Sequence, residues 1–142
     1  MSRPPGGALY SPALLSLAVE LSEYPFDESA PLVGGARSRS CGSEVKLSAH
    51  SGLQSLGLQV TACAVGQAAC TIFARHCAGA DASNLENAVS AIRDWLNGGV
   101  NVPDWPDILQ LEAAIPYPGR HEAVLLPWRA AIDALGKGQA TR

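Results

Sequence analysis

This chain is short of charge and of aromatic rings. Only 16% of its residues are charged and 6% aromatic, although 47% are hydrophobic. The few Lys and Arg do not cluster, and the net charge is −3. A nucleic-acid footprint needs a basic patch, so no nucleic-acid partner is expected. Long apolar runs are missing too. None approaches the roughly 20 residues of a membrane-spanning helix, so no membrane partner is expected. Met1 to Tyr10 has one Arg, two prolines and no apolar core. It does not read as a signal peptide, and the expected compartment is the cytoplasm. The absence of a CxxC pair removes zinc ribbons and thioredoxin-type redox sites. No GxGxxG, P-loop, HExxH or GxSxG motif occurs. His50, His76 and His121 show no ligand spacing, and no hydrolase triad selects itself. The chain is not expected to be an enzyme. Its sparse surface charge suits a neutral face turned to a partner.

Set against these absences are four cysteines. In a reducing compartment they are thiols or ligands rather than disulfides. At 142 residues one domain is expected, over 10–136, between a Gly/Pro-rich tail at 1–9 and a C-terminal tail at 137–142. Ser11-Pro12 is a helix start, with Ser as N-cap and Pro in the first helical position. Leu14, Leu15, Leu17, Ala18 and Leu21 follow at helical spacing, up to Tyr24-Pro25. Phe26 to Gly35 reads as irregular, with Gly34-Gly35 as turn residues.

Val45, Leu47 and Ala49 then alternate with polar residues, and so do Leu56, Leu58 and Val60. Ser51-Gly52 between them predicts an antiparallel hairpin. Ser83-Asn-Leu-Glu86 reads as a capping box ahead of Leu85, Ala88, Val89, Ile92, Trp95 and Leu96, a stripe that Asn97-Gly98-Gly99 ends. A short helix is expected from Pro106 through Ala113, and a last one from about His121 to Leu135. The fold class is α+β: a three-stranded antiparallel sheet packed on helices, one before it and about four after.

The chemistry gathers around Val60 to Cys77. This stretch ends an apolar strand and continues as a small-residue helix, with Cys63 at the hinge. The first N–H groups of a helix lack intrahelical partners and carry the positive end of its dipole. A thiol in such a place loses its proton more readily, and the thiolate is the form that binds metals and attacks sulfur. The other reading of Cys63 is a small buried hydrophobe. Cys63, Cys70 and Cys77 fall on one helical stripe, but neighbours in it are about 10 Å apart along the axis. They cannot share a metal, and Cys70 and Cys77 are core positions. Cys41 precedes the first hairpin strand and Cys63 follows the second. Antiparallel pairing would bring both to the same end of the sheet. Two thiols do not complete a zinc or iron–sulfur site, which usually has four ligands. Ser43, Glu44, His121 and Glu122 are candidates for the remainder.

The order of these segments resembles the U-type iron–sulfur cluster assembly scaffolds, the IscU/SufU/NifU N-terminal family, over nearly the whole chain from Tyr10. Tyr10-Ser-Pro-Ala-Leu-Leu is similar to the family's opening. Ser40-Cys41-Gly42-Ser43 with Val45-Lys46-Leu47 is similar to its Cys-Gly-Asp and Met-Lys-Leu segment. Thr61-Ala-Cys63-Ala is similar to its second cysteine motif. Pro118-Gly-Arg-His-Glu-Ala123 with Leu126-Pro-Trp128-Arg is similar to its third, Pro-x-Arg/Lys-x-x-Cys. The long interval from Cys63 to Ala123 is closer to the SufU branch. The resemblance implies a scaffold that binds iron, a [2Fe–2S] cluster or zinc through Cys41 and Cys63. It implies a cysteine desulfurase and other iron–sulfur assembly proteins as partners. The departures fall at the ligands. Ala123 stands in the third cysteine position and Ser43 in that of the aspartate, so His121 and Glu122 are the residues near enough in sequence to compensate. A docking protein that holds no cluster, and a persulfide carrier, are the alternatives.

Overall fold

A computed structural model of the protein describes residues 11–39 and 42–140, with side chains up to 137. The N-terminal tail and Cys41 lie outside the described residues. Helix α1 spans Pro12–Glu20, and its N-cap is Ser11, whose Oγ accepts from Leu14 N–H at 3.2 Å. Three strands follow, β1 (Leu32–Arg37), β2 (Glu44–His50) and β3 (Gln54–Thr61), in the antiparallel order β1-β2-β3. Helices α2 (Ala64–His76) and α3 (Ala82–Leu96) come next. Two 3₁₀ segments, Ile108–Ala114 and Pro118–Arg120, lead into α4, His121–Ala140. The α+β expectation holds.

The hairpin forms as the alternation requires. Val45, Leu47 and Ala49 of β2 are fully buried, and Leu47 faces Leu58 across the pair. Gly52 takes a φ of 71° in the connection, a conformation that glycine adopts without steric cost.

The first strand is where the sequence reading fails. Gly34-Gly35 is not a turn but the middle of β1, paired with Leu47 and Lys46. The cause is α4, which crosses so closely that a Cβ on Gly34 would lie 2.7 Å from the Ala130 carbonyl oxygen. Glycine inside a strand marks such an approach as often as it marks a turn. Asp133 of α4 then accepts from Gly35 N–H at 2.9 Å and pairs with Lys137, also at 2.9 Å. These two contacts hold its carboxyl below the usual carboxylate range, the Gly35 hydrogen bond more than Lys137.

Three further boundaries move. The N-cap of α3 is Asp81, not Ser83. Its carboxylate accepts from Asn84 N–H at 2.7 Å, while Asn84 Oδ1 accepts from Asp81 N–H. The short helix begins at Ile108 rather than Pro106, and is 3₁₀. Asp107 before it adopts a left-handed φ of 69° and reaches back to His76 Nε2 (2.8 Å) and Arg75 (3.2 Å). Arg75 also grips the Glu20 carboxylate with two nitrogens, tying α1, α2 and the 3₁₀ segment together. The last helix continues to Ala140, with Pro127 inside it.

The core lies between the sheet and the helices. Cys70 and Cys77 belong to it, at 0% and 1% exposure. Phe73 stacks on Trp105, and Trp128 meets both rings edge-on. No described helix is long and apolar enough to cross a membrane.

Candidate functional site

Cys63 is the N-cap of α2, extended at φ −68° and ψ 171°, and its thiol makes no capping hydrogen bond. Gln67, one turn on, fixes this entry: its N–H donates to the Cys63 carbonyl and its side chain to the Ala62 carbonyl, both at 2.9 Å. The thiol is therefore held at the mouth of the helix, half-buried.

Register brings the first motif to it. Glu44 at the start of β2 pairs with Thr61 at the end of β3. Ser38 N–H donates to the Ser43 carbonyl at 2.8 Å, closing the base of the β1–β2 connection. Gly42, Ser43, Thr61, Ala62, Cys63 and Arg120 then line one shallow hollow of about 240 Å³. Ser43 and Cys63 thus line the same hollow, while Cys41, which the hairpin argument sets beside Cys63, lies outside the described residues.

The third motif arrives with the start of α4. Ala123 is 1% exposed and lies against the first turn of α2, where a Cβ on Gly66 would be 3.4 Å from the Ala123 Cβ. Pro127 has no N–H, so the Ala123 carbonyl lacks its i+4 backbone donor. Glu122 turns to the loop base and accepts from Ser38 Oγ at 3.3 Å. His121 is placed differently. Its Nε2 sits 3.1 Å from both the Ala114 and the Ile115 carbonyls. Carbonyls only accept, so Nε2 carries the proton and donates, and ligation through that nitrogen would cost both bonds. Arg120 was not singled out from sequence. The signal was its place in the third motif, three residues before Ala123.

The donor set is thin. Among the described residues no group of three or more His, Cys, Asp or Glu is arranged to hold a metal. Among the described residues, the hollow is lined by one thiol, two hydroxyls and a guanidinium, and by no carboxylate. The described residues alone do not complete a thiolate-rich four-ligand site.

No protein-family model matches this sequence, and no curated protein does. Solved structures do match. One is a nitrogen-fixing NifU-like protein (N-terminal) from Brucella abortus, 27% identical, with 95% of this chain and 97% of that one covered at a TM-score of 0.78. Another is from Fervidobacterium islandicum AW-1, assigned as an iron–sulfur cluster assembly scaffold protein for the SUF system. It is 20% identical, with 89% and 96% covered at a TM-score of 0.75.

Proposed function

We propose that this chain, which has the fold of the U-type iron–sulfur assembly scaffolds, serves iron–sulfur cluster assembly as a scaffold-like, non-enzymatic protein. One observation carries the reading. Gly42-Ser43, Cys63 and Arg120, from three motifs far apart in sequence, line one hollow, and Ala123 packs on the helix that Cys63 caps. This supports a site laid out as in the family, with part of its chemistry lost. Cys41 and Cys63 are the proposed thiolate ligands for iron or a [2Fe–2S] cluster as cargo, or for zinc. Two thiolates leave two positions unfilled. Glu122, near the loop base, is the chain's own candidate for one, and Ser43 is a weak neutral donor. A partner such as a cysteine desulfurase would have to supply the rest, so cargo is held labile outside a complex.

The test is the metal and acid-labile sulfide content of anaerobically purified protein, before and after reconstitution with iron and sulfide. Expected is a visible absorption that forms, is lost on desalting, and fails to form in Cys41→Ser and Cys63→Ser. An absorption unchanged in both variants, or none in the parent protein, would refute ligation by these thiols.

Arg120 favours a second reading. A guanidinium lining the hollow beside Cys63 suits an anionic sulfur group better than a cation. Under it the chain carries persulfide on Cys63 for an assembly partner. Persulfide-specific labelling after incubation with a desulfurase and cysteine separates the two, since carriage predicts one labelled thiol without added iron.

A further inference from the structure

Away from the cysteines, the segment between α3 and the 3₁₀ turn carries a concentration of exposed apolar surface. Five large hydrophobic side chains are exposed among the described residues, and three are here: Val100 at 93%, Val102 at 51% and Leu109 at 54%. Three hollows of about 480, 320 and 280 Å³ adjoin on this face, and all three are lined in part by Pro103. They form one continuous surface. Trp105 lines two of them and is a rigid floor, stacked on Phe73 and donating from Nε1 to the Ile72 carbonyl at 3.1 Å. Fixed aromatic rings at the centre of an apolar patch are the usual anchors of interfaces.

Charge says what fits there. Among the described residues, the charged groups lining the three hollows are Asp94, Asp104 and Asp107, with no Lys or Arg. Asp107 is spent on Arg75 and His76. Asp94 and Asp104 are exposed and form no ion pair among the described residues. A second copy docking by the same face would oppose carboxylate to carboxylate. An anionic membrane would be repelled. We propose that this face is a docking surface for a basic, amphipathic segment of a partner protein, with apolar side chains over Trp105 and Pro103 and cations at Asp94 and Asp104.

The probe is a pair of synthetic amphipathic peptides with the same Leu positions, one carrying Lys and one Glu on the polar face. Each is titrated into full-length, isotopically labelled protein followed by backbone amide shifts. The expected result is that the Lys peptide perturbs amides of residues 94–110 and the Glu peptide does not. The Asp94→Lys, Asp104→Lys double variant should bind the Lys peptide about tenfold or more weakly. Both positions are exposed, and an unchanged amide spectrum elsewhere verifies its fold. Val102→Ser with Leu109→Ser should weaken binding without altering its salt dependence. The proposal is overturned by equal binding of the two peptides, or by shifts confined to other surfaces. It is also overturned by undiminished binding in the charge-reversed variant, by the same amides shifting with protein concentration alone, or by phosphatidylglycerol vesicles perturbing them.

Discussion

Gly34 and Ala134 touch backbone to backbone. With no Cβ on Gly34, the strand sits directly on α4, where Ala130, Ala131 and Ala134 keep the helix surface low. A Cβ at this position has backbone, not a flexible side chain, to displace. Gly34→Ala is therefore expected to destabilise by about 1–3 kcal/mol or more, the range of overpacking a rigid interface. Gly35→Ala, whose Cβ would be 3.2 Å from the Val45 carbonyl, should cost less. Urea midpoints of the two variants check the order, and equal midpoints would contradict the packing described.

Acid should weaken the fold through three carboxylates. Glu20 is held below its ordinary value of 4.5, first by hydrogen bonding to Arg75. Asp107 is held below 3.8, first by His76 and then by Arg75, and Asp133 by Gly35 N–H and Lys137. Each stays ionised in the folded chain at a pH where the unfolded chain has taken up its proton. Their stabilisation is complete above about pH 4.5 and is lost as pH falls through the depressed values. Denaturation midpoints at pH 6, 4 and 3 should decline in that order. Arg75→Met should flatten the decline in part, by removing the partner that Glu20 and Asp107 share.

Thiol reactivity should divide sharply. Burial pushes the Cys77 thiol up to about 11, and raises Cys70 well above the usual thiol range. Both are sealed in the core, whereas Cys63 is half-buried at the hollow. In Cys41→Ser, native protein at neutral pH is expected to react quickly at Cys63 alone, with Cys70 and Cys77 reacting only on unfolding. Ellman titration with and without denaturant measures this. Rapid native reaction of Cys70 would overturn the burial assignment.

Ala123→Cys tests whether the lost ligand is what limits metal retention. The new sulfur would enter beside the first turn of α2, against Gly66 and Ala62, at a small packing cost. Zinc retained through gel filtration is expected to rise from a trace to about one per chain, with a higher melting temperature. No gain in zinc would mean that position 123 does not face the hollow.

Much of this architecture is legible in the sequence because it rests on local periodicity. Val45-Leu47-Ala49 and the Ser51-Gly52 turn set the hairpin, and its register carries Ser43 to Cys63. Ser11-Pro12 marks α1 because capping involves neighbours only. What escapes is decided at long range. Gly34-Gly35 is a strand because of a helix a hundred residues on, and Asp107 delays its 3₁₀ turn to meet Arg75 and His76. Asp81 and Ser83 both suit an N-cap, and only coordinates choose between them. Asp81→Ala should accordingly cost about 1 kcal/mol and Ser83→Ala little, by thermal melting. At the site, the spacing places His121 and Glu122 near the lost ligand. It does not tell that His121 is spent on two carbonyls.

Each margin of the sheet is engaged at one point. Along β1, the Gly35 amide is bound by Asp133. Along β3, Leu58 N–H donates to the Tyr24 carbonyl at 2.8 Å, where Pro25 makes a short parallel bridge. An extended peptide adding to either margin would have to break the ladder at these points, which works against strand addition there. Recognition through side chains is correspondingly favoured over recognition through the sheet's backbone.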